Sequence, residues 1–437
     1  MNIILPSEVK TALTLIKNSG FEGYIVGGCV RDCLLRAVPN DFDITTNATP
    51  LQIKEVFKDY KTIDTGICHG TVTVLIKKMP LEITTYRIDG DYFDKRHPSS
   101  VVFSKSLKDD LSRRDFTINA LCYDEEYGVI DEFSGVSDLT GKIIRTVGNP
   151  DLRFSEDALR IIRAIRFASV LGFSIEKETS ESILKNKDFL KDIAVERIAV
   201  EFTKLLMGKN VFEVLMKYHE VIEVFIPELS NLYGCKQKTK YHKYDVFEHS
   251  MRAVANIESD KNLRLAMFFH DFGKPQTKLS DFDGTSHFKG HAKASEKICV
   301  AVLKRLKFDK KTIFEVSTLV RIHGQNAPKN KIEAKKLLSE IGVSNYKALI
   351  KIKRADVSAK AEPHSIDGKL SLMEEFLAEI QMNKECYLLK DLAINGDDVL
   401  NIGINSGEEI REKLLFALNA VIEGKCKNEK SELLKIL

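Results

Sequence analysis

The sequence predicts an α+β chain: a mixed strand-and-helix head over residues 1–145, followed by an all-helical remainder. Short apolar runs suited to strands alternate with amphipathic helical patterns up to about residue 145, and from Asn149 the apolar period becomes helical throughout. A chain of 437 residues also exceeds what one hydrophobic core supports, so two to four domains are expected. We divide it into the head at 1–145, a helical neck and body at 146–235, a further helical domain at 236–360 and a helical tail at 361–437.

Hydrophobic residues make up 43% and charged residues 30%, as in soluble globular proteins. Lys+Arg 66 against Asp+Glu 63 leaves a net charge of +3, which argues against a wrapper of polyanions over its whole surface but leaves room for a local basic face. The eight cysteines are scattered without a C-x-x-C pair; Cys29 and Cys33, one helical turn apart, are read as buried small apolar residues in a reducing cytoplasm. The chain shows no basic leader with an apolar core and no apolar run of membrane-spanning length, so neither export nor a membrane span is expected.

Taken in order, Ser7 is an expected N-cap for a helix over Glu8 to Asn18 that Gly20 terminates, with Val9, Leu13 and Ile16 as its apolar stripe. Tyr24-Ile25-Val26 is a buried-strand candidate ending at Gly27-Gly28, after which Val30, Leu34 and Leu35 mark a helix. Gly28 then stands where free backbone N–H groups at a helix start can hold an anion, with Arg31 close by. Pro39 ends the helix, and Asp41-Phe42-Asp43-Ile44 reads as a second strand. Alternation there sends the carboxylates of Asp41 and Asp43 to one face and Phe42 and Ile44 to the core. Two adjacent carboxylates call for a cation, and hard oxygen ligands suit Mg²⁺. Thr49-Pro50 opens a helix as cap and first residue, and strands follow over Gly70 to Lys77 and Leu81 to Arg87. Glu82 on the latter is either a third metal carboxylate or a solvated strand residue.

Arg87 to Phe103 is rich in Asp, Gly, Pro and charge, lacks a period and reads as a long mobile loop of the functional kind. Asp110 to Ala120 then sets Arg113, Arg114, Asp115 and Asn119 ahead of apolar residues, a pattern read as triphosphate and ribose recognition because the guanidinium fork matches phosphate oxygens. In Ser155 to Arg166, Asp157, Arg160, Arg163 and Arg166 recur at i, i+3 steps and are expected along one polar helical face. That face is either a surface ion-pair ladder or a base reader. A carboxylate accepting from an exocyclic amine and an arginine donating to a ring acceptor would match C and A while repelling the O4 of U and the O6 of G.

These motifs together resemble the class II tRNA nucleotidyltransferases, the CCA-adding group that also includes bacterial poly(A) polymerases. The resemblance runs from Tyr24 to about Leu206, through the Gly-Gly and Asp-x-Asp block, the loop, Arg-Arg-Asp-Phe-Thr-Ile-Asn-Ala, Glu-Asp-x-x-Arg, and Glu196-Arg197-Ile198 with Glu201. It implies a polymerase β-like nucleotidyltransferase head in which Asp41 and Asp43 hold two Mg²⁺ ions and carry the chemistry. It further implies that Gly28, Arg31 and Arg114 bind the nucleotide with Asp115 at the ribose, and that Asp157 and Arg160 read the base with Arg163 and Arg166 nearby. The activity it implies is template-independent addition of CCA to the tRNA 3′ end from CTP and ATP with release of pyrophosphate. Enzymes restricted to A addition or to poly(A) synthesis are the nearest alternatives; a C-only enzyme is disfavoured because such relatives lack the loop.

Further on, His249, the doublet His270-Asp271 followed by Gly-Lys-Pro, His291, His323 and Asp356 form an ordered series. It resembles the HD metal-dependent phosphohydrolase superfamily, which implies a second divalent-metal site at His249, His270, Asp271 and Asp356 in an HD-type domain over 236–360, either hydrolytic or purely structural. The glycine-punctuated stretch Asn395 to Gly407 resembles the family's C-terminal element that lies against tRNA, and reads equally as a helix–loop–helix cap; Lys425, Lys427, Lys430 and Lys435 add positive charge beyond it.

Overall fold

The computed structural model describes residues 3–64, 66–90, 100–237, 244–282, 285–360, 366–404 and 406–437. It divides into two compact units, one of Met1–Pro227 with Arg305–Phe308 and one of Glu228–Lys304 with Asp309–Leu437.

In the first unit the strands are β1 (Gly23–Val26), β2 (Asp43–Thr46), β3 (Lys61–Ile63), β4 (Thr71–Ile76), β5 (Met79–Thr85), β6 (Arg87–Asp89), β7 (Val101–Phe103), β8 (Leu121–Asp124) and β9 (Gly128–Asp131), and two short strands, β10 (Ile143–Ile144) and β11 (Ser174–Ile175), pair beyond them. Helices α1 (Ser7–Asn18), α2 (Gly28–Leu34), α3 (Pro50–Val56), α4 (Leu107–Ser112) and α5 (Gly135–Gly141) accompany the strands, and α6 (Pro150–Glu156), α7 (Leu159–Leu171), α8 (Lys177–Asn186), α9 (Val195–Leu206), α10 (Val211–Lys217) and α11 (His219–Glu223) complete the unit.

Seven strands form one sheet in the order β3-β4-β5-β2-β1-β8-β9. Within it β2 and β5 run parallel, in a register that sets Asp43 opposite Glu82, while the other pairings are antiparallel. Val9, Ala12, Leu13 and Ile16 of α1 are buried in a core with Ile25, Val30, Ile44, Ile53, Val72, Val74 and Ile83, so the predicted stripe does cover a sheet.

Local departures from the sequence reading have local causes. Helix α1 starts at Ser7 itself, with Pro6 in the N-cap position, because proline cannot donate and suits the helix entrance. Strand β2 starts only at Asp43, so Asp41 precedes it and is exposed while Phe42 is half-buried. The ends of the expected Arg87–Phe103 loop pair as the hairpin β6–β7, Arg87 opposite Phe103; residues 91–99 lie outside the described ones. The expected single face from Asp157 to Arg166 is broken. Asp157 is extended (φ −136°, ψ 101°) at the junction between α6 and α7, and its carboxylate accepts from Leu159 N at 3.1 Å. Its side chain caps the next backbone turn in the manner typical of Asp at a helix start.

The second unit contains α12 (Val246–Asn256), α13 (Lys261–Phe269), α14 (Lys274–Thr277), the strand pair β12 (Leu279–Ser280) and β13 (Ser286–His287), α15 (His291–Arg305), α16 (Lys310–Ile322), α17 (Lys331–Ser358, kinked at Gly342 with φ 76°), α18 (Asp367–Met382), α19 (Gly396–Asn401), α20 (Gly407–Ile422) and α21 (Lys430–Ile436). Asn395 caps α19 by accepting from Asp397 N and Asp398 N, and Leu392, Ile394, Ala417, Leu418, Ile422 and Leu433 close a small core there. Among the described residues, no helix is long and apolar enough to cross a membrane.

Candidate active site and a second metal-ligand cluster

Strand β1 leads into α2 through Gly27, whose φ of 83° is strained for any side chain. A Cβ there would also lie 3.1 Å from Arg114 Nη1, so this turn is the place where a guanidinium and the start of a helix approach each other. Beyond it the backbone N–H groups of the first turn of α2 lack intrahelical acceptors. On the neighbouring strand β2, Asp43 lies opposite Glu82 of β5, and Asp41 stands just before the strand. Burial, then the charges of Asp41 and Glu82, push the Asp43 carboxyl up to about 6, with Arg114 acting in the opposite direction. Burial and two like charges both disfavour the ionised form, and a cation bound there would relieve both. The carboxylate oxygens are not drawn into a tight triad: among the described residues, the groups of three whose ligand atoms all lie within 4.8 Å are in the second unit.

Arg31 and Arg114 are held by their own carboxylates. Arg31 Nε and Nη2 lie 2.8 and 2.7 Å from Asp32 Oδ1, and its Nη1 donates to Asn119 Oδ1 at 2.6 Å. Asp110, fully buried, takes the fork of Arg113 on Oδ1 (3.0 and 2.6 Å) and Arg114 Nη2 and Thr45 Oγ1 on Oδ2 (3.2 and 3.0 Å). Burial raises the Asp110 carboxyl, but Arg114 and Arg113 outweigh it and hold it below the usual carboxylate range. Asp115 receives Asn119 Nδ2 at 3.0 Å and Phe116 N at 2.8 Å on Oδ1, and the Arg163 fork at 2.9 and 2.6 Å on Oδ2. Its carboxyl sits at about 2 because Arg163 and Asn119 outweigh burial.

The base-reading candidates are placed differently from the expectation. Asp157 and Arg160 do not pair with each other. Asp157 Oδ2 accepts from Arg197 Nη2 at 3.3 Å, whereas Arg160 donates to Glu156 Oε2 (2.7 Å), Arg153 O (3.2 Å) and Arg113 O (2.8 Å). The expected i, i+3 pair is thus replaced by ion pairs to Arg197 and to Glu156. Arg163 is committed to Asp115, and Arg166 Nε donates to Glu201 Oε2 at 2.9 Å. Arg166 lies over the Phe167 ring, 3.6 Å from its centroid, with Arg31 and Arg163 at 5.0 and 5.5 Å, and burial lowers its guanidinium to about 10. Sequence reasoning assigned no individual role to Asp110, Glu201 or Arg197. The i, i+3 and i, i+4 spacing of Asp110 to Arg113 and Arg114 is the signal that points to Asp110, while Arg197 and Glu201 stand in the motif Glu196-Arg197-Ile198 with Glu201.

In the second unit the ordered series does converge. His249 Nε2 lies 2.9 Å from Asp356 Oδ1 and 3.6 Å from Asp271 Oδ2, and His270 Nε2 lies 3.1 Å from Asp271 Oδ2. His291 and His323, absent from the expected ligand set, bring their Nε2 atoms to 3.0 Å of each other and to 3.6 and 3.8 Å from Asp271 Oδ1. The ligand atoms form two triads, His249–His270–Asp271 and Asp271–His291–His323, that share Asp271. In three of the rings Nδ1 faces a backbone carbonyl: His270 to Met267 O (2.7 Å), His291 to Phe288 O (2.8 Å) and His323 to Val320 O (2.6 Å). Nδ1–H donation leaves Nε2 as the lone-pair atom aimed at the cluster, the orientation found in imidazole metal ligands. His270 Nε2 is buried without a hydrogen bond, so the donor set fits a divalent cation.

Three family models match in series: "Poly A polymerase head domain" over residues 23–145, "Probable RNA and SrmB-binding site of polymerase A" over 172–232, and "tRNA nucleotidyltransferase domain 2 putative" over 288–437. The CCA-adding enzymes of Ligilactobacillus salivarius and Enterococcus faecalis are 51% and 50% identical over 209 residues, which is 47% of this chain and 51% of each relative; the chain thus spans about half the length of these relatives. That of Anoxybacillus flavithermus is 34% identical over 428 residues, 98% of this chain and 95% of the relative. Among solved structures, the Bacillus stearothermophilus CCA-adding enzyme in complex with CTP superposes with a TM-score of 0.76 at 29% identity, covering 99% of this chain and 98% of that one. The Thermotoga maritima enzyme complexed with tRNA shares the fold at 23% identity and a TM-score of 0.63, covering 100% of this chain and 96% of that one. With the head, the Asp-x-Asp edge and a relative matched along nearly its whole length, this chain belongs to the class II CCA-adding enzyme family.

Proposed function

We propose that this chain transfers CMP and AMP from CTP and ATP to the 3′ end of tRNA, building CCA and releasing pyrophosphate. The observation that carries the reading is the gathering of Asp41, Asp43 and Glu82 beside the Gly27–Gly28 turn and Arg114, with Asp43 raised to about 6 by burial and then by the charges of Asp41 and Glu82. Uncompensated hard oxygen donors of this kind fit Mg²⁺. Asp41 and Asp43 would hold it, as two ions by resemblance, and Glu82, opposite Asp43 in register, would add a third carboxylate; bound there, the metal would supply activation of the 3′-hydroxyl and neutralisation of the leaving group.

The chain's own residues do the rest. The first turn of α2 at Gly28 and the guanidinium of Arg114 receive phosphate oxygens. Arg31 keeps its place through Asp32 and Asn119. Asp115 orients Arg163 and Asn119 and lies where the ribose is expected. Asp157 accepts from the exocyclic amine of C or A while Arg160 donates from Nε or its second Nη2 N–H, the other three donors being taken, with Arg163 and Arg166 held nearby by Asp115 and Glu201. In this reading residues 1–145 are the catalytic head, 146–235 read the base and bind tRNA, 361–437 lie along the tRNA, and the enzyme works in the cytoplasm.

The test is incorporation of each labelled NTP by purified protein into tRNA lacking CCA, tRNA lacking only A, and an unrelated RNA. C followed by A on the first substrate supports the proposal. A on the second substrate alone indicates an A-adding enzyme, and runs of A on unrelated RNA indicate a poly(A) polymerase.

The convergent imidazoles of the second unit favour a second activity. His249, His270, Asp271 and Asp356, in the HD-type region 236–360, would hold a divalent metal, with His291 and His323 completing a second triad through Asp271. Metal content of the wild type against Asp271→Ala tests this, with phosphatase assays in the absence of any NTP.

A further inference from the structure

The His/Asp cluster has a neighbour that its ligand set does not explain. Gln237 is 1% exposed, its Oε1 accepts from Lys274 Nζ at 2.7 Å, and its Nε2 is buried with no hydrogen-bond partner among the described residues. An ammonium only donates, so it fixes the carboxamide with oxygen toward Lys274 and leaves the two amide N–H donors unmet. A buried donor without an acceptor is costly, and in a native fold such a group calls for an acceptor that binds.

The carboxamide stands directly beside the cluster. Lys274 Nζ lies 2.6 Å from Asp271 Oδ2, the carboxylate common to both triads, so Gln237 reaches the cluster through a single shared ammonium. Lys274 offers three donors; one goes to Gln237 and one faces Asp271. Here an uncharged donor and a cationic one lie side by side at the edge of a metal-ligand set. The cluster also reaches solvent, the side chains of His291 and Asp356 being 23% and 29% exposed.

Charge then selects the ligand. Asp271 and Asp356 are matched by Lys274 at 2.6 Å and by Lys360, 3.6 Å from Asp356, and imidazoles that ligate a metal are neutral. Any divalent cation therefore leaves the site net positive, which favours an anion. We propose that Gln237 Nε2 and Lys274 Nζ form a subsite for the terminal oxygens of a phosphomonoester bound at the cluster. A monoester dianion presents three terminal oxygens, enough to meet metal, ammonium and amide together; a diester presents two. The inference rests on the metal reading given above.

The experiment uses the full chain loaded with Mn²⁺, metal content measured by mass spectrometry, and inorganic phosphate as the probe in titration calorimetry. Metal lost in Asp271→Ala is assigned to the cluster. Gln237→Leu removes the amide donors, and Gln237→Glu keeps the shape and the bond to Lys274 while replacing the donor with a negative acceptor. Both are expected to retain the Mn²⁺ of the wild type and to bind phosphate about tenfold to a hundredfold more weakly, Gln237→Glu the more so. Retained metal with unchanged phosphate affinity in the variants overturns the subsite, as does wild-type protein that holds Mn²⁺ in the cluster but binds no phosphate there, the amide then meeting water only. Absence of any metal dependent on Asp271 overturns the underlying metal reading instead. p-Nitrophenyl phosphate is expected to displace the bound phosphate and bis(p-nitrophenyl) phosphate not to; equal displacement by both overturns the choice of a monoester.

Discussion

Asp110 is the place to test whether Arg114, proposed to receive phosphate, and its neighbour Arg113 are positioned by a buried carboxylate. In Asp110→Ala two guanidinium groups, whose side chains are each 19% exposed, lose their shared counter-charge and Thr45 Oγ1 loses its acceptor. Breaking a buried ion pair by removing one partner costs about 3–5 kcal/mol. For a unit of this size each kcal/mol lowers Tm by about 2–4 °C, so a loss on the order of 10 °C or more is expected at neutral pH. Asp110→Asn, which keeps one acceptor oxygen, should cost about 1.5–3 kcal/mol, the worth of hydrogen bonds to a charged group. The pH dependence has a definite sign. A carboxyl held below its unfolded value of about 3.9 contributes stability that is complete above that value and is lost as pH falls through the lower folded value. The gap between wild type and Asp110→Ala should therefore be constant above about pH 5 and close on acidification. Urea unfolding followed by circular dichroism across this range gives the numbers, and KM for CTP and ATP should rise in the same variants as Arg114 loses its anchor beside Gly27. A cost under about 1 kcal/mol, the range of exposed pairs, would refute the positioning argument.

Asp43→Ala should abolish incorporation of both C and A while sparing tRNA binding in a gel-shift assay; retained C addition would show that the two steps do not share a site. Asp43→Asn should stabilise metal-free protein above about pH 6 by on the order of 1–3 kcal/mol and leave it unchanged below about pH 4, because a carboxyl raised to about 6 opposes folding only once ionised. Asp157→Ala should lower kcat/KM for CTP and ATP about tenfold to a hundredfold and admit UTP and GTP, with about 1 kcal/mol lost from the turn it caps; an unchanged preference in active protein ends the base-reading role. Alanine at His270 or Asp271 should remove cluster-bound metal without lowering CTP incorporation, and a loss of incorporation in folded protein would contradict the separation of the two sites.

The sequence by itself determined what depends on near neighbours. The Gly27–Gly28 turn, the apolar stripe of α1, the Thr49-Pro50 helix start and the alternation in β4 follow from period, caps and backbone freedom, which act within a few residues. The same local rules put the His-Asp doublet at the end of an apolar helix, while Asp41 lies just before β2 and not on it. They failed where a partner came from elsewhere in the chain. Glu82 joins Asp43 only because β2 and β5 pair in parallel register, a choice made by the whole sheet. Asp157 left its expected helical face because the chain turns between α6 and α7 and offers it Leu159 N and Arg197. A helical spacing says which residues would share a face, not whether the helix is continuous. His291 and His323 entered the second cluster, and Gln237 came to stand behind it, through packing across tens of residues. Tertiary structure decided those partners because buried charge and buried amide must be satisfied by whatever group the fold brings within about 3 Å, and sequence separation carries no record of that distance.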